Sequence, residues 1–247
     1  MTYMEFFGCA FTAFGPAFAM FYWTIMHDPI RIIILIASSF FWLCSLLFSS
    51  SLWFIFPNKD WVFFGVLTSI FFQEIFRYLV YKILRKSEQG LRQVTETNSA
   101  ITTSTHLLSY VSGLGFGIIS GAFSLVNILA EIKGPGTMGL HGGNEYFCLF
   151  SALFTMCFVF LHTFWSIIFF NGFDTHNRML VLYVIISHVF VSCITLLNRD
   201  ELYGTTVSFI FIITIISGVL SYRIAGGTKK SFTVLFQFQR KSSVNIQ

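Results

Sequence analysis

The sequence predicts an all-α polytopic membrane protein: seven transmembrane helices in a bundle, N-terminus outside or lumenal, C-terminus cytosolic. Three observations lead there. Of 247 residues, 55% are hydrophobic and 11% charged, with 33 phenylalanines and a mean hydropathy of +0.74. An average soluble protein carries about 25% charged residues, and a soluble domain of this length could neither bury so much apolar surface nor cover it with charge. Second, seven apolar runs are each long enough to cross a bilayer, which takes ~20 helical residues. Third, the basic residues are split unevenly between the two sides those runs define. A soluble enzyme, a disordered chain and a disulfide-stapled secreted module are excluded.

The spans follow in order. The first, about 3–26, carries Pro16 beside Gly15, where a kink is expected. Glu5 and the lack of an early Lys or Arg remove the positive region of a cleavable signal peptide, so none is expected. The second, about 31–56, is bracketed by Pro29 and Pro57, which punctuate its turns. The third runs from about 62 to 84, and a polar, mobile cytosolic loop is expected from 85 to 106. The fourth, about 107–131, is followed by a glycine-rich outer turn at 133–143, which has no phosphate-loop GK[ST] ending. The fifth, sixth and seventh lie at about 146–170, 179–198 and 204–224. Residues 1–227 form the transmembrane domain and 228–247 a polar cytosolic tail. Short connections favour antiparallel neighbours.

Orientation follows from charge. The N-terminal side holds three basic residues, Lys59, Lys133 and Arg199; the opposite side holds eleven, and Arg77 lies within a span. The basic side is the cytosolic one.

Ionisable groups inside a span are costly and rarely face lipid. Glu74 and Arg77 lie on the third span, His162 on the fifth and His188 on the sixth. At ~1.5 Å per residue, Glu74, His162 and His188 sit roughly 15, 12 and 14 Å above the inner end of their spans, in one layer. Arg77 is at i+3 from Glu74, where the two can pair. This polar layer reads as an interhelical hydrogen-bonding device, with a partner-contacting layer or direct chemistry as the alternatives. Two His and one Glu from separate spans include no i,i+3 or i,i+4 ligand pair, so no metal is expected. Ser166, at i+4 from His162, is the one candidate nucleophile beside a base.

The fourth span reads YVSGLGFGIISGAFSLVNILAE. At about 100° per residue, Gly113, Gly117, Gly121, Ser120, Ser124 and Asn127 share one face about 120° wide. Small residues let another helix approach closely, either from the same chain or from a partner subunit. Gly115 lies about 160° from Gly117, so Gly115→Leu is expected to be far milder than Gly117→Leu.

Catalytic patterns are missing. Asp28, Asp60, Asp174 and Asp200 are all expected in turns, which leaves no facing aspartate pair. There is no HExxH and no serine-protease motif. Inverted repeats and broken helices, the marks of a transporter, are not evident. Cys9, Cys44, Cys148, Cys157 and Cys193 form no CxxC pair and read as small buried hydrophobes.

Six collinear segments carry a resemblance: FFGCAFTAFGPAFAMF, DPIRIIILIASSFFWLCSLLFSSSLWF, QEIFRYLVYKILRKSEQGL, YVSGLGFGIISGAFSLVNILAEIKGPGTMGLHG, LHTFWSIIFF and SHVFVSCITLLN. Together, over about residues 5–198, the chain resembles the anterior-pharynx-defective subunit family of γ-secretase. The resemblance implies a non-catalytic scaffold, without cofactor, needed for assembly and stability of an intramembrane protease complex that cleaves Notch and amyloid-precursor-like membrane proteins. It implies nicastrin, presenilin and the presenilin-enhancer subunit as partners, with presenilin supplying the catalytic aspartates. It further implies surrounding lipid, no nucleic acid, and residence in the endoplasmic reticulum, Golgi and plasma membrane. The family's glycine motif maps onto Gly113, Gly117 and Gly121, and its two intramembrane histidines onto His162 and His188. The competing class is a seven-span receptor or transporter. FRYLVYK is not the triplet expected of such a receptor, and all four prolines precede residue 136.

Overall fold

A computed structural model describes residues 3–55, 62–94, 105–133, 147–200 and 202–228. Its elements in chain order are α1 (Tyr3–Thr24), α2 (Pro29–Ile55), α3 (Val62–Val94), α4 (Thr105–Lys133), α5 (Phe147–Asp174), α6 (Arg178–Ile194), a 3-10 helix (Thr195–Asp200) and α7 (Tyr203–Ile224). All seven α-helices are long and apolar enough to cross a membrane, and no strand occurs among the described residues. Pro57, Lys59 and Asp60, the glycine-rich segment at 134–143 and the tail from 229 lie outside the described residues.

Local chemistry sets the helix ends. Asp28 accepts from the Ile30 N–H at 3.0 Å, and Pro29 opens α2, where its missing N–H costs nothing. Arg31 then ties the turn together, with Nε 2.9 Å from Asp28 Oδ2 and Nη1 donating to the Thr24 carbonyl at the end of α1. The Asn177 side chain caps α6 by accepting from Met179 N–H at 3.1 Å. His176 just before it takes the left-handed conformation, φ 53°, that turns the chain out of α5. Pro16 is carried inside α1, which continues through it.

α3 departs from expectation. It runs on to Val94, so residues 85–94 of the expected mobile loop are helix. Lys, Glu, Gln, Leu and Arg dominate this stretch and are good helix formers. Arg85 also anchors it, pairing with Glu88 at 3.0 Å on its own helix and with Asp174 at the end of α5 at 2.6 Å. Asp174 is therefore the last residue of a helix rather than part of a turn, and Asp200 closes the 3-10 helix.

α4 and α5 form the centre. α5 packs on α4, α7, α1 and α6, while α4 packs on α5, α2 and α1. Of their apolar stretches, 56% and 44% is buried, against 17–22% for the other five helices. The peripheral helices instead expose large apolar side chains such as Phe11, Phe18, Phe40, Phe71 and Ile215, as a lipid-facing surface does. Helices are cross-linked by hydroxyls: Ser39 of α2 donates to the Gly115 carbonyl at 3.0 Å, and Tyr183 meets Ser217 at 2.9 Å between α6 and α7.

Candidate functional site

Glycine brings the central helices together. A Cβ placed on Gly113 would stand 2.7 Å from Ser166 Cβ and 2.8 Å from the His162 carbonyl oxygen. On Gly117 it would meet the Val159 carbonyl oxygen at 2.6 Å, and on Gly121 the Thr155 Cγ2 at 2.9 Å. The glycine face of α4 thus lies on α5 of the same chain, backbone nearly on backbone. Ser124 adds a contact to Thr155 at 3.2 Å, Ser120 is half-buried, and the Asn127 side chain lies outside the described residues. Ser166 packs against Gly113, and among the described residues neither imidazole has a hydroxyl or thiol as a hydrogen-bond partner.

Gly115 overturns one expectation. A Cβ there would stand 2.5 Å from the Leu35 carbonyl oxygen and 3.2 Å from Ser38 Cβ, both on α2. Pointing away from α5 does not mean pointing at lipid, because α4 is enclosed on two sides. Gly115→Leu is therefore no mild control.

By fixing α5 on α4, the seam sets His162 at the height of the charged turn of α3. Arg77 Nη2 lies 3.0 Å from His162 Nδ1. A guanidinium can only donate, so Nδ1 accepts and the proton of His162 sits on Nε2. His188 Nδ1 lies 2.6 Å from Glu74 Oε1, a carboxylate oxygen, so there the ring nitrogen donates. Arg77 Nη2 also lies 3.4 Å from Glu74 Oε1. The chain of contacts is His188–Glu74–Arg77–His162, spanning α6, α3 and α5. With one carboxylate and one guanidinium its formal charges cancel, which is how such groups are tolerated away from water.

Aromatic rings wall the cluster. Trp165 stacks on His188 with centroids 4.5 Å apart and meets His162 edge-on at 5.6 Å. The two imidazoles are 5.3 Å apart and nearly perpendicular. The Arg77 guanidinium carbon lies 5.6 Å from the Phe116 ring centre and 5.9 Å from that of Trp165. Arg77 and His162 are each 1% exposed and His188 2%. Glu74 Oε2, Arg77 Nε and Nη1 and Trp165 Nε1 are buried with no hydrogen-bond partner among the described residues.

The three residues grouped by depth, Glu74, His162 and His188, are thus brought together with Arg77, the i+3 partner of Glu74. Trp165 and Phe116 were missed by the sequence reading, although Trp165, at i+3 from His162 in LHTFW, shares its helix face. The latch of Arg85 on Asp174 was also missed; it joins residues 89 positions apart, beyond any local pattern.

Comparison with known proteins finds relatives over nearly the whole chain. The family model described as Aph-1 protein matches residues 4–228. The chain is 58% identical over 232 residues to "Gamma-secretase subunit Aph-1" of Drosophila melanogaster, covering 94% of this chain and 97% of the relative. It is 43% identical to "Gamma-secretase subunit APH-1B" of Homo sapiens over 98% of this chain and 96% of that protein. To "Gamma-secretase subunit aph-1" of Caenorhabditis elegans it is 30% identical over 94% and 84%.

Proposed function

The chain belongs to the Aph-1 family, and from that premise we propose that it is a non-catalytic scaffold subunit of a γ-secretase complex. The observation that carries the reading is the identity of 58% to a relative named as such a subunit, over nearly the whole of both chains. The interior supports the non-catalytic part. Asp28, Asp174 and Asp200 all stand at helix ends, and the buried ionisable groups are spent on one another rather than aimed at a nucleophile. In this reading α4 and α5 form a stiff core on which the single layer His188–Glu74–Arg77–His162 fixes α3 and α6. The peripheral helices then offer fixed apolar surfaces to neighbouring subunits.

The partners implied are nicastrin, presenilin and the presenilin-enhancer subunit, with presenilin contributing the aspartates. The orientation proposed is N-terminus outside or lumenal, C-terminus cytosolic, from the uneven split of basic residues. The compartments proposed are the endoplasmic reticulum, Golgi and plasma membrane. Purification of the tagged chain in gentle detergent, with identification of co-purifying proteins, tests the assembly. Recovery of presenilin and nicastrin with the chain is expected; recovery of the chain alone from intact membranes would count against the scaffold role. The isolated subunit should not cut a transmembrane substrate, and cutting that survives removal of every other subunit would return Ser166 and His162 to consideration as chemistry.

A further inference from the structure

Two cysteines 139 positions apart share a site that the cluster does not use. Cys9 of α1 and Cys148 of α5 have their sulfurs 2.6 Å apart, and both are buried, at 7% and 4% exposure. Ala13 and Ala152, one turn further along the same helices, keep that seam narrow, and Leu125 of α4 closes its inner side. Cys148 is the second residue of α5 and Cys9 the seventh of α1. Both helices start on the same side of the bundle, so the pair lies toward the N-terminal face, with Glu5 one turn before Cys9 marking its polar rim. Neither sulfur has another hydrogen-bond partner among the described residues.

We propose that Cys9 and Cys148 are a redox-sensitive pair that closes to a disulfide in the cell, stapling α1 to α5 at the outer end of the bundle. This rests on the orientation proposed above, which puts the N-terminal face toward an oxidising compartment. The oxidant required is a disulfide-bearing thiol oxidoreductase. One of the two thiolates attacks one sulfur of the carrier disulfide, breaking it and releasing one carrier thiol. The other cysteine then attacks the chain's sulfur in the mixed disulfide, the new S–S bond forms, and the second carrier thiol leaves. Two electrons pass from the pair to the carrier, and the two thiol protons end on the carrier's thiols. The bond would close a loop through α1 to α4 and so remove freedom from the unfolded chain.

The test uses the full-length chain expressed with its complex. Cells are quenched with N-ethylmaleimide before lysis, the protein is denatured in excess reagent, and peptides are mapped with and without reductant. Two of the five thiols should escape labelling, and Cys9 and Cys148 should be recovered as one linked peptide that reductant separates. Cys9→Ser should expose Cys148 to the reagent, and Cys148→Ser should expose Cys9. Full labelling of both residues in the unsubstituted chain overturns the proposal. A C-terminal tag, probed with antibody before and after permeabilisation, separates the two levels. Both thiols free with a protected tag sinks the disulfide alone. Both free with a tag reached on intact cells sinks the orientation and the disulfide with it.

Discussion

His188 Nδ1 lies closer to Glu74 Oε1, at 2.6 Å, than does Arg77 Nη2, the carboxylate's partner on its own helix, at 3.4 Å. The tighter bond crosses from α3 to α6, and Arg77 spends its better contact on His162 of α5 at 3.0 Å. The i,i+3 salt bridge is therefore the hinge of an interhelical chain rather than a device of α3 alone.

Removal of either imidazole should loosen the bundle without preventing insertion. His162→Ala and His188→Ala each strand a buried partner, at a cost of ~1–3 kcal/mol. Because both act through Glu74 and Arg77, the double variant should lose less than the sum of the two. Unfolding of the purified subunit in mild detergent measures this, and strictly additive losses would argue against the connected chain.

The charge balance gives a sharper contrast. Glu74→Gln keeps a hydrogen-bond acceptor but leaves the Arg77 guanidinium, 1% exposed, without its counter-charge. Breaking a buried pair in this way costs about 3–5 kcal/mol, whereas replacing both members by uncharged residues is often tolerated. Glu74→Gln combined with Arg77→Met should therefore be more stable than Glu74→Gln alone. A double variant as unstable as the single one would show that the charge balance does not matter.

Both glycine seams of α4 should refuse a branched side chain. Gly117→Leu drives into the Val159 backbone of α5, and Gly115→Leu into the Leu35 carbonyl of α2. Overpacking of this kind costs ~1–3 kcal/mol or more. Gly8→Leu is the control, since nothing lies within 4 Å of a Cβ there. Matched expression, recovery from detergent and thermal stability should separate Gly115→Leu and Gly117→Leu from Gly8→Leu. Wild-type stability in Gly115→Leu would mean that α2 does not sit against it.

At the C-terminal end of α5, Asp174 accepts from Arg85 Nε and Nη2, at 3.0 and 2.6 Å, and from the Tyr81 hydroxyl at 3.0 Å. The latch is partly solvated, so Asp174→Ala should cost only about 1 kcal/mol, and less at high salt. Melting curves of wild type and variant at low and high ionic strength report it. A loss that salt does not reduce would point to packing rather than to the ion pair.

Sequence alone determined the class of this protein. Hydropathy, length and the placement of basic residues fix a seven-helix membrane chain because lipid imposes its constraint on every span separately, and each span can be read without the others. Depth is equally local: a rise of ~1.5 Å per residue put Glu74, His162 and His188 in one layer before any packing was known. The azimuth of each helix is not local. In water the apolar stripe points to the core, but in lipid Phe71 on the outside and Phe116 on the inside are equally apolar, so periodicity gives no direction. Only the tertiary structure decided that Gly117 faces α5 while Gly115 faces α2, and that Glu74 favours His188 over Arg77. It alone brought Cys9 beside Cys148, because each of these contacts depends on how a helix is rotated against neighbours far away in sequence.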